Sequence, residues 1–332
     1  MKPTQSIPKH LRYSIQSFNA EFPDDNTCLD WLKAQRWPSG FVPCEKCGKE
    51  RKHHRVTGRP AYACDYCGSM ISPMAGTIFE KSSTALRTWF YAMYLMSATR
   101  CGISAKQIQR ETGVTYKTAW RMFKQIRTLM SEDISLEGEA VEADESYFGG
   151  KAKNKRFGKR GGNGRSLRDK TPVFGMVERS GRVVAMVTPD ARAKTILPII
   201  HERVLPASIV YTDDFPIYDK LSEHTNGYVH RRIQHTEKIY VMGDVHTNTI
   251  EGFWSLVKRG IGGVYHSVSS KYLQSYLDEY SFRYNRRNSG QPMFTSLLKQ
   301  VSEQAEEPLA SRGCEKHLHL PGASCFQPLS MA

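Results

Sequence analysis

The sequence predicts a mixed α/β domain preceded by two small modules, on three observations. Residues 36–78 hold two CxxCG pairs in a stretch poor in apolar residues. Residues 79–135 repeat apolar side chains at intervals of three and four, the spacing of one helical face. From about residue 136 three strand-like segments lead into alternating helix-like and strand-like ones, the order of an α/β domain. At 332 residues the chain is longer than one hydrophobic core usually serves, so several domains are expected.

Composition narrows the partners. Lys plus Arg is 47 and Asp plus Glu is 33, a formal net charge of +14. That excess favours a polyanion, either nucleic acid or an anionic membrane surface. With 39% hydrophobic and 24% charged residues the chain is not wholly disordered. The opening MKPTQSIPKHLRYS lacks the apolar stretch of a signal peptide, and the longest apolar run, residues 89–99, is too short to span a bilayer. A cytoplasmic, DNA-associated protein with no membrane partner is expected.

Residues 1–35 form a helical lead-in through Phe22, Leu29, Trp31 and Leu32. In 36–78, Cys44-x-x-Cys47 and Cys64-x-x-Cys67 are each followed by glycine. Four thiolates from two such knuckles can surround one tetrahedral zinc, whose binding would supply folding free energy that so small a segment lacks. A redox pair or free thiols are the alternatives. The run RKHHR at 51–55 lies in the loop between the pairs and is open to phosphate.

Within 79–135, residues 103–126 carry a helix-turn-helix pattern. Ile103 and Ile108 pack the first helix and Gly113-Val114 makes the turn. Thr115 caps the second helix, and Ala119, Trp120 and Phe123 turn inward. Lys117 and Arg121 then lie on the exposed face of a helix suited to a major groove. A plain helical spacer is the alternative.

Residues 136–290 read as the α/β domain and 291–332 as a polar tail. Strands are expected at 139–148, 171–179, 182–189, 208–212 and 228–234, with helices at 191–203, 214–223, 246–260 and 269–285. Acids gather at three places. VEADESYFGG holds Glu142 and Asp144 on one strand face and Glu145 on the other. SIVYTDDFPIY runs an apolar strand into Asp213 and Asp214. HTNTIEGFWSLVKRGIGG carries Asn248 and Glu251, with Lys258 two turns beyond Glu251 on the same face and Arg259 beside it. Carboxylates on adjacent strands plus one on a packed helix can hold two hard divalent ions, Mg²⁺ or Mn²⁺, for phosphoryl transfer. Solvated acids and helix caps are the alternative, with Asp213 a possible cap for 214–223.

Taken together, PCEKCGK, ACDYCGS, GTIFE, EADESYFGG, YTDDFPIY, HTNTIEGFWSLVKRGIGGVYH and YLDEYSFRYNRR resemble the IS1595 group of transposases with an ISXO2-like catalytic domain, over about residues 20–290. The resemblance implies an RNase H-like catalytic core preceded by a zinc ribbon and a helix-turn-helix-like module. It also implies a DDE-type triad matching Asp144, Asp213 and Glu251, with Lys258 as the basic residue that follows. Members differ in whether the position of Asn248 or that of Glu251 supplies the third group, and both are present here. Glu45 stands where the ribbon often has proline.

The implied function is a DNA transposase of an insertion sequence. It would bind terminal inverted repeats and target DNA as a homodimer or larger homo-oligomer, with structural zinc and catalytic Mg²⁺ or Mn²⁺. A structure-selective RNase H-like nuclease and a non-catalytic DNA-binding regulator are the competing readings. Residues 151–170 hold nine Lys or Arg and one Asp. This segment follows the Asp144 strand directly, so Lys155, Arg156, Lys159 and Arg160 are expected on phosphate. Glu145 and Asp214 are expected to point away from the ions.

Overall fold

The computed structural model describes residues 12–99, 101–149, 170–179, 181–221, 226–233 and 246–305. It divides into two compact units, built mainly on Ser14–Tyr91 and on Ala92–Leu297. No helix among the described residues is long and apolar enough to cross a membrane.

In the first unit, α1 (Ile15–Glu21) and α2 (Asp25–Arg36) start at Ser14 and Asp24, whose side chains accept from the backbone N–H of Ser17 and Thr27. They precede an antiparallel sheet in the order β1 (Phe41–Cys44), β2 (Lys49–Arg55), β3 (Tyr62–Cys64), β4 (Met70–Ile71). The core is aromatic: Phe22 meets Trp31 and Phe90 edge-on, and Phe79 meets Trp89. Lys33 Nζ donates to the His53 carbonyl at 2.8 Å and Arg55 to Asn26 at 2.7 Å, which ties α2 to β2.

After α3 (Leu86–Ala98), the second unit opens with α4 (Ala105–Thr112) and α5 (Tyr116–Thr128). Ser104 and Thr115 cap these helices, and Gly113 ends α4 at φ 72°. The five-stranded sheet comprises β5 (Ala140–Phe148), β6 (Thr171–Glu178), β7 (Val183–Val187), β8 (Ile209–Asp213) and β9 (Val229–Ile233), in the order β7-β6-β5-β8-β9. β6 is antiparallel to its neighbours, while β5, β8 and β9 run parallel. Counted from β5 the order is 3-2-1-4-5 with the second strand reversed, the RNase H-like arrangement.

Helix α6 (Ala193–Arg203) makes the crossover from β7 to β8 and packs Ile196 and Ile200 with Val141, Ala143, Phe174 and Met176. On the other face α7 (Asn248–Gly260) and α8 (Ser270–Asn285) pack Phe253, Trp254, Val257 and Leu277 with Val173 and Val177. Alternation along β5 thus sends Val141 and Ala143 toward α6, and Glu142 and Asp144 toward α7.

Four expectations change. The run RKHHR at 51–55 is not a loop but part of β2, which pairs on both sides with β1 and β3 and buries His53. Trp120, expected to turn inward, is 39% exposed, because it sits at the margin of the buried face of α5 with its ring against Tyr272. The helix expected over 214–223 is only a 3₁₀ turn, Pro216–Tyr218: Asp213 accepts from the Phe215 N–H at 3.1 Å, and Pro216 brings no N–H of its own. The expected polar tail begins instead with α9 (Met293–Ala305), in which Phe294, Leu297, Leu298 and Val301 are buried at helical spacing.

Gly175 lies opposite Asp144 in the β5–β6 register, and a Cβ there would clash with Cζ2 of the Trp254 ring, with Ile250 Cδ1 at 3.1 Å. Substitution Gly175→Ala is expected to push α7 off the sheet and to lower stability by about 1–3 kcal/mol. Urea denaturation checks this; an unchanged midpoint would show that α7 does not depend on the close approach.

Candidate functional site

The two CxxCG knuckles have the same local structure. Gly48 N–H donates to the Cys44 carbonyl at 2.8 Å and Gly68 N–H to the Cys64 carbonyl at 3.1 Å, each glycine at positive φ, which explains its place after the second cysteine. The folded knuckles bring the Cys44, Cys47, Cys64 and Cys67 sulfurs within 4.8 Å of one another. Among the described residues this is the one group of three or more potential metal ligands drawn so close. Four soft thiolates at this spacing suit tetrahedral zinc.

The second centre begins with a carboxylate that does not face solvent. Glu142, fully buried on β5, accepts from the backbone N–H of Thr249 at 2.8 Å and of Ile250 at 3.1 Å, and from the Thr249 hydroxyl at 2.9 Å. These N–H groups are in the first turn of α7, where the helix has no partners of its own for them. Arg179 donates to the same carboxylate at 3.1 Å and also to the His246 carbonyl at 2.9 Å. A strand residue therefore caps the helix and fixes α7 against β5. Sequence reasoning grouped Glu142 with the other acids; only the position of α7 tells it apart.

In the same first turn, α7 presents Glu251 toward an open cleft of about 490 Å³, lined by Asp144, Glu145, Ser146, Glu251, Trp254, Ser255, Lys258 and Arg259. Asp144 comes from β5. Asp213 ends β8 and, by continuing the Glu142–Tyr211 register, falls opposite Asp144. The two acids and Glu251 sense one another: burial first, then the charges of Asp213 and Glu251, push the Asp144 carboxyl up to about 7. The three carboxylates are less tightly drawn together than the four sulfurs. Trp254 is buried against Gly175 and also lines the cleft beside Asp144. Lys258 lies over the Phe148 ring at 5.9 Å.

Glu145 departs from expectation. Its parity does send it to the opposite sheet face, where the Tyr218 hydroxyl donates to its carboxylate. Yet it borders the same cleft, and burial together with Asp144 and Asp213 raises its carboxyl to about 7 despite Tyr218. The reason is the strand edge. The pairing of β5 with β8 stops at Glu142, so side chains of both parities beyond that point reach the open edge. Asp214 is exposed and Asn248 is exposed at the first position of α7, outside the cleft lining. Lys117 and Arg121 are exposed on α5. Lys155, Arg156, Lys159 and Arg160 lie outside the described residues.

A sheet of this order, with acids on its first and fourth strands and on the helix packed against them, defines an RNase H-like core, here accompanied by a four-cysteine ribbon. An ISXO2-like transposase domain matches residues 135–285, and a transposase zinc-ribbon domain matches residues 23–70. Over 276 residues the chain is 32% identical to an uncharacterized protein in transposable element ISH50 of Halobacterium salinarum, covering 79% of this chain and 91% of that protein. An uncharacterized transposase-like protein of Haemophilus influenzae is 35% identical over 120 residues, 36% of this chain and 93% of that protein. A chain of the simian T-cell lymphotropic virus intasome in complex with a PP2A regulatory subunit aligns with TM-score 0.30 and 14% identity, over 73% of this chain and 78% of that chain. The protein belongs to the IS1595 family of insertion-sequence transposases, with an ISXO2-like catalytic domain.

Two measurements follow from these centres. Metal analysis of the reduced protein is expected to return about one zinc per chain, and Cys64→Ser to release it and unfold the ribbon. Zinc retained in full by that variant would remove Cys64 from the ligand set. Glu142→Ala leaves Arg179 and two helix N–H groups without their acceptor, so a loss of about 3 kcal/mol is expected by chemical denaturation. A loss below about 1 kcal/mol, the worth of an ordinary neutral hydrogen bond, would mean that the clamp is dispensable.

Proposed function

We propose that Asp144, Asp213 and Glu251 form the catalytic triad and hold Mg²⁺ or Mn²⁺. On this reading residues 36–78 and 79–135 engage DNA while residues 136–290 cut and join it. The observation that carries the reading is that Asp144 of β5 and Glu251 of α7 line one cleft with Lys258 and Arg259, while Asp213 at the end of β8 lies near enough for its charge to raise the Asp144 carboxyl. The donor set fits such ions. It consists of hard carboxylate oxygens, and the repulsion that adds to burial in raising Asp144 is what a dication relieves. Bound there, the ions would supply charge for the phosphoryl oxygens and ease formation of the attacking oxygen.

The chain's own groups do the rest. Lys258 and Arg259 seat the DNA backbone along α7. Glu251 and Asp144 approach the cleft from a helix and a strand that Glu142 holds together. In the first step a water oxygen bonds to the phosphorus at the element end and the terminal 3′ oxygen leaves. In the second, that 3′-hydroxyl attacks a target phosphodiester and displaces a target 3′ oxygen. No bond to the protein forms, so no Ser or Tyr nucleophile is assigned. Asn248, one turn before Glu251 and outside the cleft lining, is the weaker candidate for the third position, which this reading gives to Glu251. Joining two ends calls for two copies of the site, hence a homodimer or larger assembly on terminal inverted repeats.

The test compares Asp144→Asn, Asp213→Asn and Glu251→Gln with Asp214→Asn on duplexes bearing the element's own inverted repeats. The first three are expected to bind ends normally and to lose Mg²⁺-dependent nicking and strand transfer by several orders of magnitude. Asp214→Asn should keep both. Glu145→Gln is no control, because Glu145 borders the cleft. Wild-type activity in any of the three would remove that residue from the triad; activity in all three would overturn the mechanism.

A further inference from the structure

Helices α5 and α8 run side by side in the same direction. Trp120 meets the Tyr272 ring edge-on at 5.6 Å near the start of both helices. Seven residues further on, Arg127 lies 3.8 Å over the Tyr276 ring and donates to Glu279 at 2.6 Å. Glu279 is fully buried and also takes an ion pair from Arg283, whose guanidinium donates to the Met96 carbonyl at 2.7 Å. Burial pushes the Glu279 carboxyl up, but Arg127 and Arg283 more than offset this and keep it ionised. A buried ion cluster thus joins the second helix of the helix-turn-helix to the helix packed on the catalytic sheet.

The other end of the same pair is open. Tyr116 is 47% exposed and Trp120 39% exposed, unusual for large aromatics. Lys117 and Arg121 are exposed beside them, and Lys271 is exposed next to Tyr272 on α8. α5 has no acidic residue along its length. The parallel run brings the N-terminal ends of both helices, with their partial positive charge, to one edge. Aromatics interleaved with cations and free of carboxylates fit the face of a nucleic acid rather than a protein or lipid partner.

We propose that duplex DNA is held across both helices, on a single surface made of Tyr116, Lys117, Trp120 and Arg121 from α5 with Lys271 and Tyr272 from α8. The inference rests on the DNA-binding reading above and extends it. The recognition helix and the catalytic domain grip one duplex as a rigid body, and Lys271 is a phosphate contact that the helix-turn-helix pattern does not include. The buried Arg127–Glu279 pair prevents α5 from swinging independently, so the bound repeat has a fixed rotational register to the cleft.

The full-length protein is titrated with a duplex carrying its element's terminal repeat at several salt concentrations. Relative to wild type, Lys271→Ala is expected to lower the slope of log affinity against log salt by about one, as Lys117→Ala does. Lys194→Ala, on α6, should leave it unchanged. A wild-type slope for Lys271→Ala alongside a reduced slope for Lys117→Ala would overturn the shared surface while leaving DNA binding by α5 intact. Failure of the wild-type protein to prefer the repeat at all would take both readings down. A second duplex carries about five extra base pairs, half a helical turn, between the repeat and the cleavage point. It should bind as before yet lose cleavage, with activity returning at about ten. Equal cleavage of all three duplexes would mean that α5 is hinged and would sink the rigid-body claim.

Discussion

The grip of Glu142 on the first turn of α7 is the constraint from which the catalytic arrangement follows. A carboxylate on the central strand takes two backbone N–H groups, a hydroxyl and a guanidinium. Each such charge-assisted bond is worth about 1.5–3 kcal/mol, and stripping the carboxylate of water costs several. The two largely cancel, so the clamp adds less to stability than its bond count suggests. Its effect is positional. With the start of α7 pinned to β5, Glu251 in that same turn is placed beside Asp144, and Trp254 drops onto the bare backbone of Gly175. Register, helix entry and cleft are then a single geometrical fact.

The fold was readable because its signals are local. Two CxxCG knuckles, a capped helix-turn-helix and strands of the right length each announce themselves within a dozen residues, and their structures agree. The site was readable in part. Alternation along β5 correctly assigns Glu142 and Asp144 to one sheet face, but says nothing of which acid is buried under a helix that begins 107 residues later. Glu145 illustrates a second limit: parity assigns a face, whereas membership of the cleft depends on where the neighbouring strand stops pairing. The 3₁₀ turn at 216–218 replaces a helix because Pro216 and the Asp213 side chain decide the backbone before amphipathic spacing can. For α9 the periodicity of Phe294, Leu297, Leu298 and Val301 is present in the sequence, diluted by polar neighbours.

The cleft also shows how one short motif can serve opposite ends. In EADES, Glu142 is consumed by the scaffold, Asp144 faces the other acids, and Glu145 is engaged by Tyr218 from beyond Asp213. Three carboxylates within four positions would repel strongly on an open surface. Here the strand directs them to different partners, a helix terminus with an arginine, a shared acidic centre and a phenol, so that only Glu142 meets a full opposite charge. Burial and the opposing acids raise both of the others, Asp144 and Glu145, to about 7.

The pairing of Arg127 with Glu279 spans 152 positions of sequence. A ribosome therefore finishes α5 long before it makes the carboxylate that neutralises that helix's buried guanidinium. Chains ending early, from a frameshift or a gene copy eroded at its 3′ end, lack α8 and with it both the Tyr276 ring that covers Arg127 and the Glu279 carboxylate that pairs with it. The packing face of α5 is then open to water, so this helix depends on residues from the far end of the message for its apolar and ionic cover.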